Sequence, residues 1–423
     1  MKKRRGFLPL VPGFLCSLLV TGACTAKTAA VPEKGDVHLA VSNSAFLPPG
    51  NLRTETARLD SGAAGEGPVI FLRENTDGTD DGVARLLAGL EGPAFYRRGT
   101  GTGLIGPEDV VLIKINSQWA ERGGTNTDVL KAIIQHIVNH PDGFRGELII
   151  ADNGQSMFGS ARSGGSLDWD NTNSKDRTQS AQDVADYFAG RGFRVSGVLW
   201  DKLTKIRVEE YDQGDNRDGF VVEEGVLSTG LVVSYAKFTT RYGTPVSFKR
   251  GIWDNTAKRY DTEKLKVINA PVLKAHGQYQ VTGAMKSYMG TPSNSLTNMA
   301  PHNSVGRGGM GTQMVKTRFP VITILDMVWI APAGGPNSPY ALAVQKNMVA
   351  ASADPVALDY WAAKNVLMPA AEAAGNRRYA SMDPDGREPG TFGYWLRLSM
   401  EELRKGGYPV TMDAGAIRVL KIR

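Results

Sequence analysis

The chain has 423 residues, a formal net charge of +6 and only two cysteines. The first 23 positions carry four basic and no acidic residues, so the remainder has a net charge of only +2 and lacks a long basic run. We therefore exclude nucleic acid as a partner, because its recognition requires a basic surface. Both cysteines, Cys16 and Cys24, precede the body of the chain. Their position excludes a disulfide framework and an iron–sulfur cluster held by the chain's own cysteines.

Residues 1–24 are predicted to be an export signal. A basic head (2–5) precedes an apolar core (7–20) that is too short, and too broken by proline, to anchor in a bilayer. The arginine pair of the head, followed by Gly-Phe-Leu, resembles a twin-arginine signal, which exports folded proteins. Cys24 follows small residues and is either a lipidation site or part of an ordinary cleavage region. We expect a protein of the periplasm or cell envelope, in contact with the membrane only through the signal or a lipid on Cys24.

The rest of the chain divides into a tether and a body. Residues 25–67 are rich in Ala, Pro, Gly and Thr without a regular pattern, which is typical of a tether with an irregular lead-in. Residues 69–423 are predicted to form one α/β domain. Two insertions interrupt it at about 153–180, a polar loop or lid, and at about 205–260, where the pattern predicts an inserted antiparallel β segment.

Within the body, apolar strand-like runs alternate with helical periodicity. Strands are predicted at 69–72, 110–115, 148–151, 193–199, 267–273, 321–325 and 348–351. Helices are predicted over 83–90, from a cap at Thr127 onward, over 181–190 and over 355–367. The run 110–115 hardly alternates, which suits a strand buried on both faces. This rhythm predicts an α/β fold with a mostly parallel sheet covered by helices.

Charged or amide side chains follow five of the predicted strands. They are Lys114 with Asn116, Asp152, Lys274 with His276, Asp326 and Asp354. In open parallel sheets, ligands bind beyond the carboxyl ends of the strands, so we expect these side chains to line a site. Aspartate and asparagine are also common in turns and caps, and Asp354 can simply cap the helix that begins at Pro355. Lysine has no such role, so Lys114 and Lys274 carry more weight.

Lys274, His276 and Lys286 form the densest group of ionisable residues near one strand end. Two lysines can bind a phosphate or carboxylate, and a crowded lysine can act as a base or as a Schiff-base nucleophile. His276 can be a general acid or base, or a metal ligand. Each residue alone would more often be a satisfied structural group. Ionisable groups gathered in a cleft tend to mark sites, so the cluster is predicted to be functional.

The polar segment 290–311 adds two candidates for substrate binding. It carries His302, and three glycines surround Arg307. Glycine-rich backbone can wrap closely around an anion. The ending that a P-loop requires is absent, and so is a nucleophile elbow. His136 and His140, four apart on a predicted helix, lack the glutamate of a zinc-protease motif and are interpreted as structural.

Short motifs along the body resemble the family called "domain of unknown function 362". They are 111–116 (VLIKIN) with 127–128 (TD), 148–152 (LIIAD), 273–276 (LKAH) with 282–286 (TGAMK) and Gly290, Asp326 with 334–336 (GGP), and 352–359 (SADPVALD). The resemblance covers about 69–367. It implies an α/β fold and a shared site at Lys114, Asn116, Lys274, His276, Lys286 and His302, without an established activity.

The chain departs from the family pattern in three ways. Ile115 stands where the family usually has proline, and Ser287 stands where it usually has asparagine. Many members also carry ferredoxin-type cysteine clusters, which this chain lacks. The resemblance therefore does not extend to direct electron transfer.

We expect an enzyme that acts on a small anionic molecule. Lys274 and Lys286 would bind the anion, His276 would move a proton, and Lys114 with Asn116 would orient the substrate. The carboxylates would hold a divalent cation or fix the lysines; they are Asp152, Asp326 and Asp354. No cofactor is identified, and a divalent metal is one option. One alternative is a non-catalytic ligand-binding or scaffolding envelope lipoprotein, and another is a metal-cofactor protein that uses His276, His302 and a carboxylate.

Overall fold

The computed structural model describes residues 67–91, 94–155 and 164–423. The predicted export signal, the possible lipidation site at Cys24 and nearly all of the predicted tether lie outside these ranges. Within them, no helix combines the length and the apolar character needed to cross a membrane.

The described residues form an α/β structure. The strands are β1 (Val69–Glu74), β2 (Val110–Ile115), β3 (Glu147–Asp152), β4 (Val195–Leu199), β5 (Gly219–Val222), β6 (Ser234–Thr239), β7 (Pro245–Ser247), β8 (Gly251–Asp254), β9 (Arg259–Asp261), β10 (Leu265–Ala270), β11 (Val272–His276), β12 (Gln280–Thr282), β13 (Ile322–Ala331), β14 (Val344–Ser352) and β15 (Arg418–Lys421). The helices are α1 (Gly82–Ala88), α2 (Thr127–Val138), α3 (Ala181–Ala189), α4 (Ala284–Ser287), α5 (Ala300–Ser304), α6 (Gly309–Lys316), α7 (Pro355–Ala362), α8 (Met368–Ala373) and α9 (Phe392–Lys405). A π-helical turn, Ala363–Leu367, joins α7 to α8.

The central sheet has ten strands and is mixed but mostly parallel. Its main path runs β15-β1-β14-β13-β10-β2-β3-β4, and β11 and β12 extend it beside β13. Strand β14 runs antiparallel to both of its neighbours, and β12 runs antiparallel to β11; the other pairs are parallel. The predicted α/β class is confirmed, with a mostly parallel sheet.

The order of strands reverses between β2 and β10. From β2, the chain builds outward through β3 and β4, and after the second sheet it returns to place β10 and then β13 on the opposite side of β2. Such a reversal leaves a crevice at the carboxyl ends of the two strands, because the connections that leave them turn away from each other. The topology therefore places a natural ligand site beside the ends of β2 and β10.

Strand β2 shows why the sheet has two buried faces. All six of its residues are buried. Val110 and Leu112 pack in one apolar core with Met285 and Tyr288, and Val111 packs in the other core with residues of α2. Side chains alternate between faces along a strand, so Lys114 shares the face of Val110 and Leu112 and lies toward α4.

The helix that follows β2 was predicted to be capped by Thr127, but Thr127 is its first residue and Asn126 is its cap. The side chain of Asn126 accepts hydrogen bonds from Asp128 N (2.8 Å) and Val129 N (3.2 Å). The hydroxyl of Thr127 instead donates to Gln179 O at 2.9 Å. The prediction was wrong by one residue, because asparagine and threonine are both favourable at this position.

The strand predicted at 267–273 is two strands, separated at Pro271. Proline has no N–H to donate to a neighbouring strand, so β10 ends at Ala270 and β11 begins at Val272. Strand β10 pairs with β2 and β13, whereas β11 pairs with β12 and β13. The side chain of Asn116 accepts the hydrogen bond from Val272 N at 3.0 Å. Strand β11 thus leaves β2, and the gap between them is open to a ligand.

The second sheet is antiparallel and contains β5 to β9 in chain order. It occupies most of the predicted insertion at 205–260. Its core includes Phe238 and Phe248, which pack on Trp200 with ring centroids 5.8 and 5.7 Å apart. The other predicted insertion, 153–180, is described at 153–155 and 164–180, where the backbone forms turns and irregular structure.

Candidate functional site

A cavity of about 290 Å³ lies at the carboxyl ends of β2 and β3, beside β11. Seven of the predicted site residues line it: Lys114, Asn116, Asp152, Lys274, His276, Lys286 and His302. Its other lining residues include Gln118, Trp119, Gly123, Thr282, Ser287, Gly290 and Pro336. The cavity coincides with the crevice that the strand order predicts.

Lys114 is fully buried and fully engaged. Its Nζ lies 3.0 Å from Asp152 Oδ1 and donates to Ile115 O (2.8 Å) and Ser287 Oγ (3.0 Å). Two hydrogen bonds and one ion pair thus hold this ammonium group. Burial lowers the pKa of Lys114, and the negative charge of Asp152 opposes this shift. Lys114 is therefore a fixed element of the cavity wall.

Asp152 is the carboxylate of this cluster, and its contacts are also taken. Besides the ion pair with Lys114, its Oδ2 accepts hydrogen bonds from Ser117 N (2.9 Å) and Ser117 Oγ (3.0 Å). Gly290 lies directly against the ion pair: a Cβ built on Gly290 would overlap Asp152 Oδ1 and approach Lys114 Nζ to 2.5 Å. The pair can form only because position 290 has no side chain.

Lys274 and Lys286 differ from Lys114 in their partners. They are only 3 % and 5 % exposed. The Nζ of Lys274 donates to one backbone oxygen, Gly123 O, at 2.5 Å. The Nζ of Lys286 has neither a hydrogen-bond nor an ion-pair partner within the described ranges, and it lies 5.4 Å from the ring centroid of Tyr279. Two buried lysines thus face the cavity without a carboxylate of their own.

This arrangement weakens proton binding by both lysines. Burial is the main cause for Lys274, and the positive charge of Lys286 is the second; together they lower the pKa of Lys274 to about 7. Burial and then the charge of Lys114 lower the pKa of Lys286 to about 7. The ordinary value for both is 10.5, so each group changes from fully charged to partly neutral near neutral pH.

The hydrogen bonds of His276 define its tautomer. Its Nδ1 accepts from Gln278 N and Tyr279 N, each at 3.2 Å. A ring nitrogen that accepts carries no proton, so the proton of the neutral ring is on Nε2. Burial, followed by the charges of Lys286 and Lys274, lowers the pKa of His276. The ring is therefore a neutral hydrogen-bond donor through Nε2.

The hairpin β11–β12 carries much of this site. Lys274 pairs with Thr282, and His276 pairs with Gln280. Thr282 is buried, and its Oγ1 has no hydrogen-bond partner in the part of the chain that the structure describes. Tyr279, at the turn, donates from its hydroxyl to His302 O at 2.5 Å. The turn thus joins the strand that carries Lys274 to the segment that carries His302.

His302 lies at the rim of the cavity. Its Nε2 is 3.2 Å from Gln278 Oε1, and its ring centroid is 5.5 Å from that of Tyr279. Burial, then the positive charge of Lys286, lowers the pKa of His302 to about 4. The ring is neutral at neutral pH, so it adds hydrogen-bonding groups rather than charge.

Asp359 positions the short helix α4, which carries Lys286. It is fully buried, and its carboxylate accepts hydrogen bonds from Ala284 N (2.6 Å) and Met285 N (2.9 Å). Burial raises the pKa of Asp359 to about 7. Sequence reasoning placed Asp359 in a family motif but gave it no role. The family motif was the signal in the sequence that could have identified Asp359. Its separation from α4 along the chain does not predict that the two are in contact.

Three predicted residues lie elsewhere. Asp326 is in the middle of β13, which continues to Ala331 instead of ending at 325, and its carboxylate accepts from Asn126 N (2.9 Å) and Val328 N (3.0 Å). Asp354 caps α7 through Val356 N and Ala357 N. Arg307 is exposed and does not line the cavity.

The described residues of the site do not form a cluster of metal-binding side chains. Across the described ranges, no group of three or more His, Cys, Asp or Glu side chains is arranged to hold a metal ion.

A second cavity of about 170 Å³ adjoins the first and shares His276 with it. Gln280 lines this second cavity, and its buried Oε1 lacks a hydrogen-bond partner among the described residues.

Part of this site lies in a segment that matches a family model. The model of the family described as "Domain of unknown function (DUF362)" matches residues 258–364. This segment contains Lys274, His276, Lys286 and His302 and supports the resemblance drawn from the sequence motifs. No curated protein matches the chain, and no solved structure matches it.

Proposed function

We propose that this protein is an enzyme that binds a small anionic molecule in the cavity between β2 and β11. The observation that carries the proposal is the pair of buried lysines, Lys274 and Lys286, that face the cavity without a carboxylate partner. A phosphate or carboxylate group of the substrate would supply the missing negative charge.

A buried charge without a partner costs free energy. An ammonium group removed from water loses several kcal/mol of solvation, roughly, unless a nearby negative charge compensates. Asp152 is engaged by Lys114 and Ser117, so it cannot neutralise two further lysines. An anion between Lys274 and Lys286 would restore their ordinary protonation and offset that cost. The buried lysines therefore favour an anionic ligand.

The same lysines supply a proton acceptor. A catalytic base works best when its pKa lies near the working pH, and the pKa of about 7 for Lys274 would stay near that condition where Lys286 holds most of the substrate's charge. His276 would act differently from the sequence-based expectation. Its Nδ1 is occupied by two backbone N–H groups, so it would donate a hydrogen bond from Nε2 instead of removing a proton.

Lys114 and Asn116 would act by positioning. Lys114 is bound to Asp152, Ile115 O and Ser287, so it holds the wall of the cavity. The side-chain oxygen of Asn116 is held by Val272 N, at the point where β11 leaves β2. Both residues keep the crevice open around the substrate.

Export to the periplasm or cell envelope is part of this proposal. Its support is the amino-acid sequence of residues 1–24, with the basic head, the apolar core and Cys24. Membrane contact would occur through the signal or through a lipid on Cys24. The ligand would then be a small anion available in that compartment.

Anion binding can be tested with sulfate, a dianion that does not titrate near neutral pH. Isothermal titration of the purified chain should show saturable binding. Each of the variants Lys274→Met and Lys286→Met should weaken it by about 10- to 100-fold, because each removes one charge-assisted hydrogen bond. The matched control is Lys237→Met, which removes a lysine that is also fully buried but lies in the second sheet. Equal affinity in all four proteins would reject the proposal.

A non-catalytic binding protein is the alternative, and His276→Asn separates it from an enzyme. Asparagine keeps an acceptor near the position of Nδ1 and removes the Nε2–H donor. Phosphate esters and carboxylates that raise the melting temperature of the wild type should be assayed for conversion by NMR. An enzyme converts one of them and loses turnover in His276→Asn while retaining the ligand. A binding protein converts none of its stabilising ligands.

A further inference from the structure

We propose that Lys274 is a nucleophile that forms an imine with the carbonyl carbon of a small 2-oxo acid, whose carboxylate is bound by Lys286. This inference rests on the proposed function, because it uses the same anion site. It adds the class of substrate and a covalent step.

The geometry separates the roles of the two lysines. Gly123 O accepts a hydrogen bond from Lys274 Nζ, and a carbonyl oxygen accepts from a neutral amine as well as, more strongly, from an ammonium. One N–H is thus fixed, and the rest of the amine is available to the cavity. Lys286 has no such acceptor but lies 5.4 Å from the ring of Tyr279, a contact that favours its charged form.

The charges around Lys274 favour a neutral amine. Asp152 is paired with Lys114, and although its charge favours a proton on Lys274, burial and the charge of Lys286 outweigh it. Burial and the positive charge of Lys286 both lower the pKa of Lys274. A lysine that is desolvated beside a second cation is the arrangement that activates amines for attack on carbonyl groups.

The proposed step balances as a condensation. The lone pair of the Lys274 amine attacks the carbonyl carbon, and one amine proton passes to the carbonyl oxygen to give a carbinolamine. Loss of that hydroxyl with the second amine proton releases one water and leaves the C=N double bond. His276 Nε2–H would donate a hydrogen bond to the oxygen as negative charge develops on it.

Reductive trapping tests the step directly. The whole purified chain is incubated with pyruvate and sodium borohydride, and its mass is measured before and after peptide mapping. We expect one adduct, equal to pyruvic acid less one oxygen atom, on the peptide that contains Lys274. Excess sulfate should suppress the adduct, because it occupies the same anion site.

The variants sharpen the assignment. Lys274→Met, shown to be folded by its circular dichroism, should lose the adduct, and Lys237→Met should form it as the wild type does. Lys286→Met should require about 10- to 100-fold more pyruvate but still carry the adduct on Lys274, since only the carboxylate contact is lost.

The results that overturn this inference differ from those that overturn the proposed function. Sulfate binding that depends on Lys274 and Lys286, without an adduct on Lys274, rejects the imine and leaves the anion site intact. An adduct on Lys286, or one spread over exposed lysines and insensitive to sulfate, also rejects it. Failure of sulfate to bind at all removes both proposals.

Discussion

The chain buries charged groups in two regions, and the regions differ in how those charges are satisfied. In the second sheet, the carboxylate of Glu210 accepts hydrogen bonds from Tyr235 Oη (2.9 Å), Ser247 Oγ (2.8 Å) and Tyr260 Oη (2.5 Å). Lys237 is as buried as Lys114, and its Nζ donates to Asp215 O. Like Lys274, Lys237 donates to a backbone oxygen, but the negative charges of Asp215, Glu210 and Asp218 favour its protonated form.

In the cavity beside β2, only some of the buried charged groups have a partner of opposite charge among the described residues. Lys114 and Asp152 satisfy each other as the groups of the second sheet do, whereas Lys274 and Lys286 lack a carboxylate. Buried lysines therefore have different roles in different parts of this molecule. A buried lysine with its partners belongs to the fold, and a buried lysine that faces a cavity without them indicates a binding site.

The largest expected effect separates the paired lysine from the unpaired one. Lys114→Met leaves the buried Asp152 without its cation and should lower the free energy of unfolding by about 3–5 kcal/mol. Lys286→Met removes an uncompensated charge and should leave the protein at least as stable as the wild type. Urea denaturation of both variants at neutral pH measures the difference. Similar losses in the two variants would contradict the distinction between them.

The next effect concerns the close contact at Gly290. Gly290→Ala places a methyl group against Asp152 and Lys114, where no space exists. Overpacking of this kind costs about 1–3 kcal/mol, and we expect the upper end because the displaced groups are charged and buried. Gly306→Ala is the matched control, since a Cβ at Gly306 meets no atom within 4 Å. Unchanged thermal stability in Gly290→Ala would show that the ion pair can move.

A smaller effect is expected in the second sheet. Tyr235→Phe removes one hydrogen bond to the charged Glu210 and should cost about 2 kcal/mol of stability. Because this cluster is part of the fold, sulfate affinity should not change. Calorimetric unfolding and sulfate titration of the same variant check both statements. Weaker sulfate binding in Tyr235→Phe would mean that the two regions are coupled.

Stability should also depend on pH. The pKa of Lys274 and Lys286 is about 7 in the folded chain and 10.5 ordinarily, so between these values the unfolded chain binds more protons. The free energy of unfolding should therefore rise with pH across this window, by up to about 1.4 kcal/mol per pH unit for each lysine. Below about pH 7 both states hold the protons, and the full cost of burial is present.

We expect this pH dependence to come from the titration of Lys274 and Lys286. Denaturation curves of the wild type and of the double variant Lys274→Met/Lys286→Met, recorded across that window, isolate it from other titrating groups. The double variant should show the shallower slope. Parallel curves would mean that these lysines have ordinary pKa values in the folded chain.

Much of the fold followed from local patterns. Strand β2 was predicted over 110–115 and is observed over the same residues, because a continuous apolar run bounded by polar residues has few alternatives. The convergence of Lys114, Asp152 and Lys274 followed from the rule that parallel strands share one carboxyl edge. These predictions required no knowledge of tertiary contacts.

Other features depend on contacts between distant residues. Asp326 was assigned to a strand end, but β13 runs on to Ala331 beside β14, which places this carboxylate in mid-strand. The division of the predicted strand at Pro271 has a local cause, whereas its consequence, the departure of β11 from β2, depends on the pairing of β11 with β13. The pairing of Lys114 with Asp152, and the isolation of Lys286, appear only when the elements are packed together.

Lys274 and Lys286 lack a carboxylate partner and are expected to bind an anion. Proton uptake on anion binding tests this expectation most directly. Sulfate is titrated into the chain by calorimetry at about pH 8, in two buffers of different ionisation enthalpy. Because a bound dianion raises the pKa of both lysines from about 7, the wild type should take up protons as it binds. Lys237→Met should do the same, and Lys274→Met/Lys286→Met should not. Sulfate binding without proton uptake, or no binding in the wild type, would contradict the claim.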